Sequence, residues 1–340
     1  MSLIPSLLVS PPPSVGVEIA ADRVTAVSLE RQSGGWIVAG YAVERLPAGV
    51  VTPAMNGVNV HDASIAAAAM RSAFDKIGSG RRRVALVIPD TAAKLSLLRF
   101  EKVPAASDLD QLVRWQMRKA APFKPEDAQV SWVPASELPG GGREFLVTMA
   151  RRDIVESYMA VCADAGADAG VVDLATLNLI NAALAARTAA SADRPASRAA
   201  SKDDALIVNV AADYATLAIL RGDDLIFFRT RASTIPARSG PAAATQLDGD
   251  ADLADLVHQT AMYYEDRLGG RRFARVVLTG GSGRDTGERL RRALEERIGV
   301  AVEPLDFRAS ASMRDRISAG PELLDMLAPA VGIVLRERAA

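Results

Sequence analysis

Apolar and polar positions alternate along the chain in two rhythms, and the same succession of rhythms occurs twice. Val15–Ala20, Val24–Leu29 and Trp36–Val43 are short apolar or alternating runs, broken at Asp22 and at Ser33-Gly34-Gly35. That pattern predicts three antiparallel strands joined by tight turns. Asp62–Ile77 follows with alanine-rich helical spacing and ends at Gly78. The order then returns: Ala205–Val210, Tyr214–Leu220 and Leu225–Arg229 predict a second meander turning at Arg221-Gly222-Asp223, and Leu253–Leu268 the helix after it. Val276–Gly283, VVLTGGSG, is an apolar strand running into a glycine turn. The next helix sets Leu290, Leu294 and Ile298 on one face, among Glu288, Arg289, Arg291 and Arg292.

Between the meanders lies Val84–Ile88, a buried strand that stops at Pro89-Asp90. Leu95–Phe100 is another strand. Ser107 and Asp110 have capping-box spacing and open a helix to about Ala120, with Leu109, Leu112, Val113, Trp115 and Met117 on a broad apolar face. Val130–Val133 and Glu144–Met149 flank a Pro139-Gly140-Gly141-Gly142 turn. These predict a small α+β lobe inserted at about residues 95–168, up to and including the helix Arg152–Ala165. The strand Gly170–Asp173 and the helix Leu174–Ala186 follow. Thr188–Asp204 has no large apolar residue and predicts a mobile linker. Near the end, Val300–Glu303 reads as a strand and Pro321–Leu335 as a helix that Pro329 kinks or divides. The expected organisation is an extended tail at 1–14, a first half at 15–187, a linker at 188–204 and a second half at 205–340. Two meanders facing each other across a cleft make this a duplicated α/β architecture, with the glycine turn beside the cleft.

Composition narrows the chemistry. The 340 residues carry a net charge of −1, so bulk electrostatics gives no argument for nucleic acid or membrane. Arg81-Arg82-Arg83 reads as a solvated turn rather than a nucleic-acid contact. No apolar run approaches the ~20 residues of a spanning helix. MSLIPSLLVSPPP lacks a basic start and is not read as a signal peptide. Its Pro11-Pro12-Pro13 is a stiff spacer that either holds Leu3, Ile4, Leu7 and Leu8 out as a docking tail or follows a frayed terminus. The single Cys162 excludes an internal disulfide and fits a reducing compartment, and its helical apolar pattern points to a buried thiol. His61 and His258 alone are too few for a histidine metal site or an expected histidine base.

Five stretches taken together are specific: VALVIPD (Val84–Asp90), LDQLVRWQMRKAAPF (Leu109–Phe123), FLVTMARRDIVESYMAVCADAG (Phe145–Gly166), VVLTGGSG (Val276–Gly283) and LAPAVGIVLR (Leu327–Arg336). Over about Val15 to Arg336 the chain resembles the PilM family of type IV pilus assembly proteins, which have the actin-like (ribonuclease H-like) fold also seen in FtsA. The resemblance implies a cytoplasmic protein held at the inner membrane by the N-terminal cytoplasmic tail of a PilN-like partner. It would link that partner, indirectly, to the pilus motor ATPase and to twitching motility, and it admits a homo-oligomer. In that family ATP lies in the cleft, its phosphates held by two D-x-G hairpins and its adenosine by a Gly-Gly-Ser turn, with Mg²⁺ on a carboxylate.

Carried over by position, the first hairpin offers Glu18 at the aspartate and metal position, Ala20 at the glycine and Thr25 beyond. The second offers Asn209, Ala211 and Thr216; the adenosine turn is Gly280, Gly281 and Ser282. A phosphate hairpin needs amides that approach the anion without an intervening Cβ. Where φ is positive, alanine costs roughly 1 kcal/mol or more. Asn209 cannot supply a charge to Mg²⁺. The expectation is a scaffold with a degenerate nucleotide cleft, no catalytic residues, and Trp115, Phe123 and Trp132 as candidate anchors for an extended peptide. One alternative is an active actin-like ATPase or nucleotide switch, for which Asp173 is a candidate base although Ala175 stands where a second acid would help. Another is a GspL-like type II secretion component, which would require a membrane span after Ala340.

Overall fold

The computed structural model describes residues 12–32, 35–78, 83–120, 122–138, 140–192, 203–232, 243–280, 284–314 and 319–339. Most of the expected tail and linker, Arg81 and Arg82, and Gly281 and Ser282 lie outside them.

The first meander is β1 (Val15–Ile19), β2 (Arg23–Gln32) and β3 (Gly35–Arg45). Helix α1 (Ala63–Lys76) then carries the chain to β4 (Arg83–Ile88), which lies parallel to β1. β1 and β4 are buried along nearly their whole length, as strands in a sheet covered on both faces must be. The second meander repeats the plan with β9 (Asp204–Val210), β10 (Tyr214–Arg221) and β11 (Asp224–Ala232). Helix α5 (Ala243–Arg267) leads to β12 (Arg275–Gly280), parallel to β9, and α6 (Arg284–Ile298) to β13 (Val302–Pro304).

The lobe is a three-stranded sheet of β5 (Ala93–Phe100), β6 (Ala128–Glu137) and β7 (Arg143–Arg151), covered by α2 (Ala106–Met117). Phe100, Leu109, Val113, Met117, Phe145 and Val147 form its core. Phe100 and Phe145 meet edge to face at 5.7 Å. The capping box is not used: the N-cap is Ala105, with no side-chain cap, and Ser107 Oγ donates to Asp108 at 3.0 Å. Helix α3 (Arg152–Asp164) leaves the lobe and buries Ile154, Tyr158 and Cys162 in the core of the first sheet. Burial pushes the Cys162 thiol up to about 12, with Asp168 adding to the effect.

β8 (Asp168–Leu174) runs directly into α4 (Ala175–Ala192), which continues through Thr188, where the linker was expected to begin. Two late elements return to the first half. β14 (Ala311–Met313) pairs with β3, completing a six-stranded sheet of order β14-β3-β2-β1-β4-β8. Helix α7 (Pro321–Ala339) packs Leu327, Val331 and Val334 into the first core, and Pro329 lies within it without dividing it. At Gly332 it crosses α4 so closely that a Cβ would fall 1.9 Å from the Asn178 carbonyl oxygen. The second sheet keeps five strands, β11-β10-β9-β12-β13.

Candidate functional site: the cleft between the halves

The β1–β2 and β9–β10 hairpins repeat each other. Glu18-Ile19-Ala20-Ala21-Asp22-Arg23-Val24-Thr25 corresponds to Asn209-Val210-Ala211-Ala212-Asp213-Tyr214-Ala215-Thr216. In each, the first polar residue pairs across the ladder with the threonine: Glu18 with Thr25, Asn209 with Thr216. Ala20 N–H donates to the Arg23 carbonyl and Ala211 N–H to the Tyr214 carbonyl, both at 2.9 Å. The amides of the two alanines therefore close their own turns. No non-glycine residue among those described has a left-handed φ, so alanine carries no backbone strain in either hairpin.

In the first hairpin, Glu18 is buried and accepts from Arg23 Nη2 at 3.1 Å, while Arg23 Nη1 reaches Asp22 at 3.1 Å. Burial pushes the Glu18 carboxyl up, and Arg23 opposes it. The charge expected at the metal position is thus answered inside the hairpin. Thr25 is fully buried beside it. Among the described residues no group of three or more His, Cys, Asp or Glu could hold a metal ion.

The second hairpin meets a residue from the first half. Asp90 begins a short 3-10 turn after β4 and is 1% exposed. Its Oδ1 accepts from Thr176 N–H at 3.0 Å, at the start of α4, and its Oδ2 accepts from the Thr176 hydroxyl. The same Oδ2 accepts from Thr216 at 2.7 Å. Asn209 Nδ2 donates to Thr176 Oγ1 at 2.8 Å, and Asn209 Oδ1 accepts from Thr279 at 3.2 Å. Thr216 also meets Thr230 of β11 at 3.0 Å. Burial raises the Asp90 carboxyl, against the hydrogen bonds from Thr176 and Thr216. Tyr214 is buried between the hairpins, its phenol pushed far above the ordinary range by burial and then by Asp90 and Glu18.

Of the expected site residues, Glu18 and Thr25 pair on the first hairpin and Asn209 and Thr216 on the second, and only the second pair meets Asp90 and Thr176. Ala20 and Ala211 sit at the two turns above them. Gly280 ends β12 with φ +73°, and a Cβ there would lie 1.9 Å from the Val210 carbonyl oxygen. The approach of β12 to β9 accounts for that glycine without any ligand. Beside it opens a cavity of about 530 Å³, lined by Leu278, Arg291, Pro304, Leu323 and Met326. Its size is that of a small-molecule pocket. Asp173 is ion-paired with Arg336.

Asp90, Thr176, Arg23 and Tyr214 were not anticipated. The repeated Ala-Ala-Asp turn was a usable signal for Arg23 and Tyr214, since each follows it directly. Asp90 resembles an ordinary turn residue after Pro89, and nothing local marks it as buried.

On the lobe, Trp115 is 58% exposed on the outer side of α2, with Arg118 above its ring at 5.3 Å; Leu112, one turn earlier, is exposed as well. Phe123 and Trp132 are partly buried against the lobe core, Trp132 edge-on to Phe145 at 5.6 Å. No helix among the described residues is long and apolar enough to cross a membrane.

Comparison with solved structures places this architecture. The chain is similar to a PilM-PilN type IV pilus biogenesis complex, with a TM-score of 0.80, 19% identity and coverage of 96% of this chain and 99% of that one. A profile described as type IV pilus assembly protein PilM matches residues 16–234. The chain belongs to the PilM family. Its fold is accordingly the actin-like one that the resemblance implied. Weaker similarity extends to a Bacteroides thetaiotaomicron protein of actin-like ATPase fold and unknown function, at TM-score 0.47, 10% identity and 85% and 89% coverage. Another is the ethanolamine utilization protein EutJ from Carboxydothermus hydrogenoformans, at 0.46, 15%, and 98% and 94%. The comparison with curated proteins gave no match. Family membership assigns the chain to type IV pilus assembly.

Proposed function

We propose that this PilM-family protein is a scaffold of the type IV pilus machine, which binds the N-terminal cytoplasmic tail of a PilN-like inner-membrane protein and whose nucleotide cleft is closed at the phosphate end. The observation that carries the reading is the engagement of three of the cleft's side chains with the chain itself, although the Thr25 hydroxyl and Arg23 Nε beside them have no partner among the described residues. Arg23 is held by Glu18 and Asp22, Thr216 by Asp90, and Asn209 by Thr176 and Thr279. A triphosphate that used these donors would have to break their bonds within the chain, and Mg²⁺ would find a carboxylate already paired. The cavity beside Gly280 has room for a nucleoside, but the groups below it do not fit phosphates and a metal. The partner follows from the similar structure, which holds PilM with PilN and is spanned almost end to end. Binding that tail would keep the protein at the inner membrane, with the motor ATPase reached indirectly.

The exposed Trp115 and Leu112 of α2 offer an apolar anchor with a cationic neighbour, Arg118, for an extended peptide. Calorimetry with a synthetic N-terminal peptide of the PilN-like partner tests this. Micromolar or tighter binding without nucleotide is expected, weakened at least about tenfold in Trp115→Ala with no change in melting temperature. No heat at millimolar peptide overturns the scaffold reading.

A further inference from the structure

Around Asp90, the hydrogen bonds of side chains from both halves run in one direction. Thr279 donates to Asn209, and Asn209 donates to Thr176 Oγ1. That oxygen accepts a hydrogen bond, so its own hydrogen is directed to Asp90 Oδ2. Thr216 donates to the same Oδ2 from the second half, and the Thr176 amide meets Oδ1 from the first. A helix-start amide and two hydroxyls converging on one buried oxygen pair is the reception a bound anion receives. Here the anion arrives on the chain itself, from the end of β4.

We infer that Asp90 is a built-in ligand: its carboxyl fills the anion position between the halves and joins them where a bound phosphate would otherwise do so. The inference deepens the closed-cleft part of the reading above and rests on it; peptide binding on the lobe is independent of it. It accounts for the departure at position 209. The residue there must accept from Thr279 and donate to Thr176, which an amide does and a carboxylate does not. It also accounts for Thr216, whose hydroxyl is kept because it reaches Asp90.

Thermal unfolding of the full chain tests it, with inorganic pyrophosphate plus Mg²⁺ and with formate as probes. The wild type is expected to shift by less than about 1 °C with pyrophosphate, as a site already filled requires. Asp90→Ala is expected to melt at least about 5 °C lower. Sodium formate, a free carboxylate of the size removed, is expected to restore most of that loss, and sodium chloride of equal ionic strength none of it. If Asp90→Ala does not fold, Asp90→Asn, Thr216→Val and the double variant replace it. The double is expected to lose clearly less than the sum of the singles, because both alter one hydrogen-bonded pair. A wild type stabilised by pyrophosphate overturns the closed cleft and the built-in ligand together. A wild type indifferent to pyrophosphate, with an Asp90→Ala variant indifferent to formate or with additive single variants, overturns the built-in ligand alone.

Discussion

Thr216 and Asp90, 126 positions apart in sequence, share a hydrogen bond of 2.7 Å in the buried seam between the two halves. Thr216 lies on the strand after the second Ala-Ala-Asp turn, and Asp90 on the strand end that in the first half runs beside the first such turn. The bond joins two copies of one architectural unit at non-equivalent positions, so duplication alone does not explain it. It ties the second hairpin to the turn after β4 in the first half.

Replacing Asn209 by aspartate would restore the acid expected of a phosphate hairpin, but the structure assigns it a cost. The new carboxylate loses the donor to Thr176 and stands next to Asp90, since both side chains contact the same Thr176 oxygen. A buried unpaired charge beside a like charge costs about 2–4 kcal/mol. Urea denaturation of Asn209→Asp should show a lower midpoint with an unchanged slope. An equal or higher midpoint would contradict the donor assignment.

Asp213 makes stability depend on pH. Its carboxyl is pushed up from 3.8 to about 6, first by burial and then by Asp22 and Asp90. A carboxyl raised in the folded state favours the protonated native form. Its contribution is therefore full below 3.8 and lost as pH rises through about 6. The loss is on the order of 2 kcal/mol after allowance for partial exposure. Melting temperature should fall between pH 4 and 7 more steeply in the wild type than in Asp213→Asn. Parallel curves would remove Asp213 as the cause.

Two glycines separate packing from backbone freedom. Gly332→Ala would gain about 1 kcal/mol of helix propensity, yet its Cβ would meet the Asn178 carbonyl at 1.9 Å. The clash should win, with a net loss of about 3 kcal/mol or more. Gly320→Ala meets nothing within 4 Å and should stay within about 0.5 kcal/mol of wild type. Guanidinium unfolding of both variants checks the pair; similar values for the two would show that α4 and α7 are not tightly apposed.

Elements with a strong period were legible from residues alone. Buried strands such as Val84–Ile88 and the amphipathic α6 stand where their patterns put them, because burial on one or both faces writes a period into the chain. β14 was not legible, since a three-residue strand has no period to read. The destination of α7 was hidden for another reason: its apolar face is plain in sequence, but which sheet covers it depends on the crossing at Gly332. In the cleft, Glu18, Asn209 and Thr216 could be placed through the repeat. Asp90 and Thr176 could not, because their importance arises only when a first-half turn and a second-half strand meet.

The return of α7 and β14 to the first sheet has a consequence for anyone who would take the molecule apart. A cut inside residues 193–202 leaves an amino-terminal fragment stripped of the helix that covers β1, β2 and β4, with Gly16 and Asn178 facing solvent instead of α7. The complementary fragment carries an orphaned apolar helix. Expressed apart, the two pieces should be insoluble; made together, they should assemble by complementation.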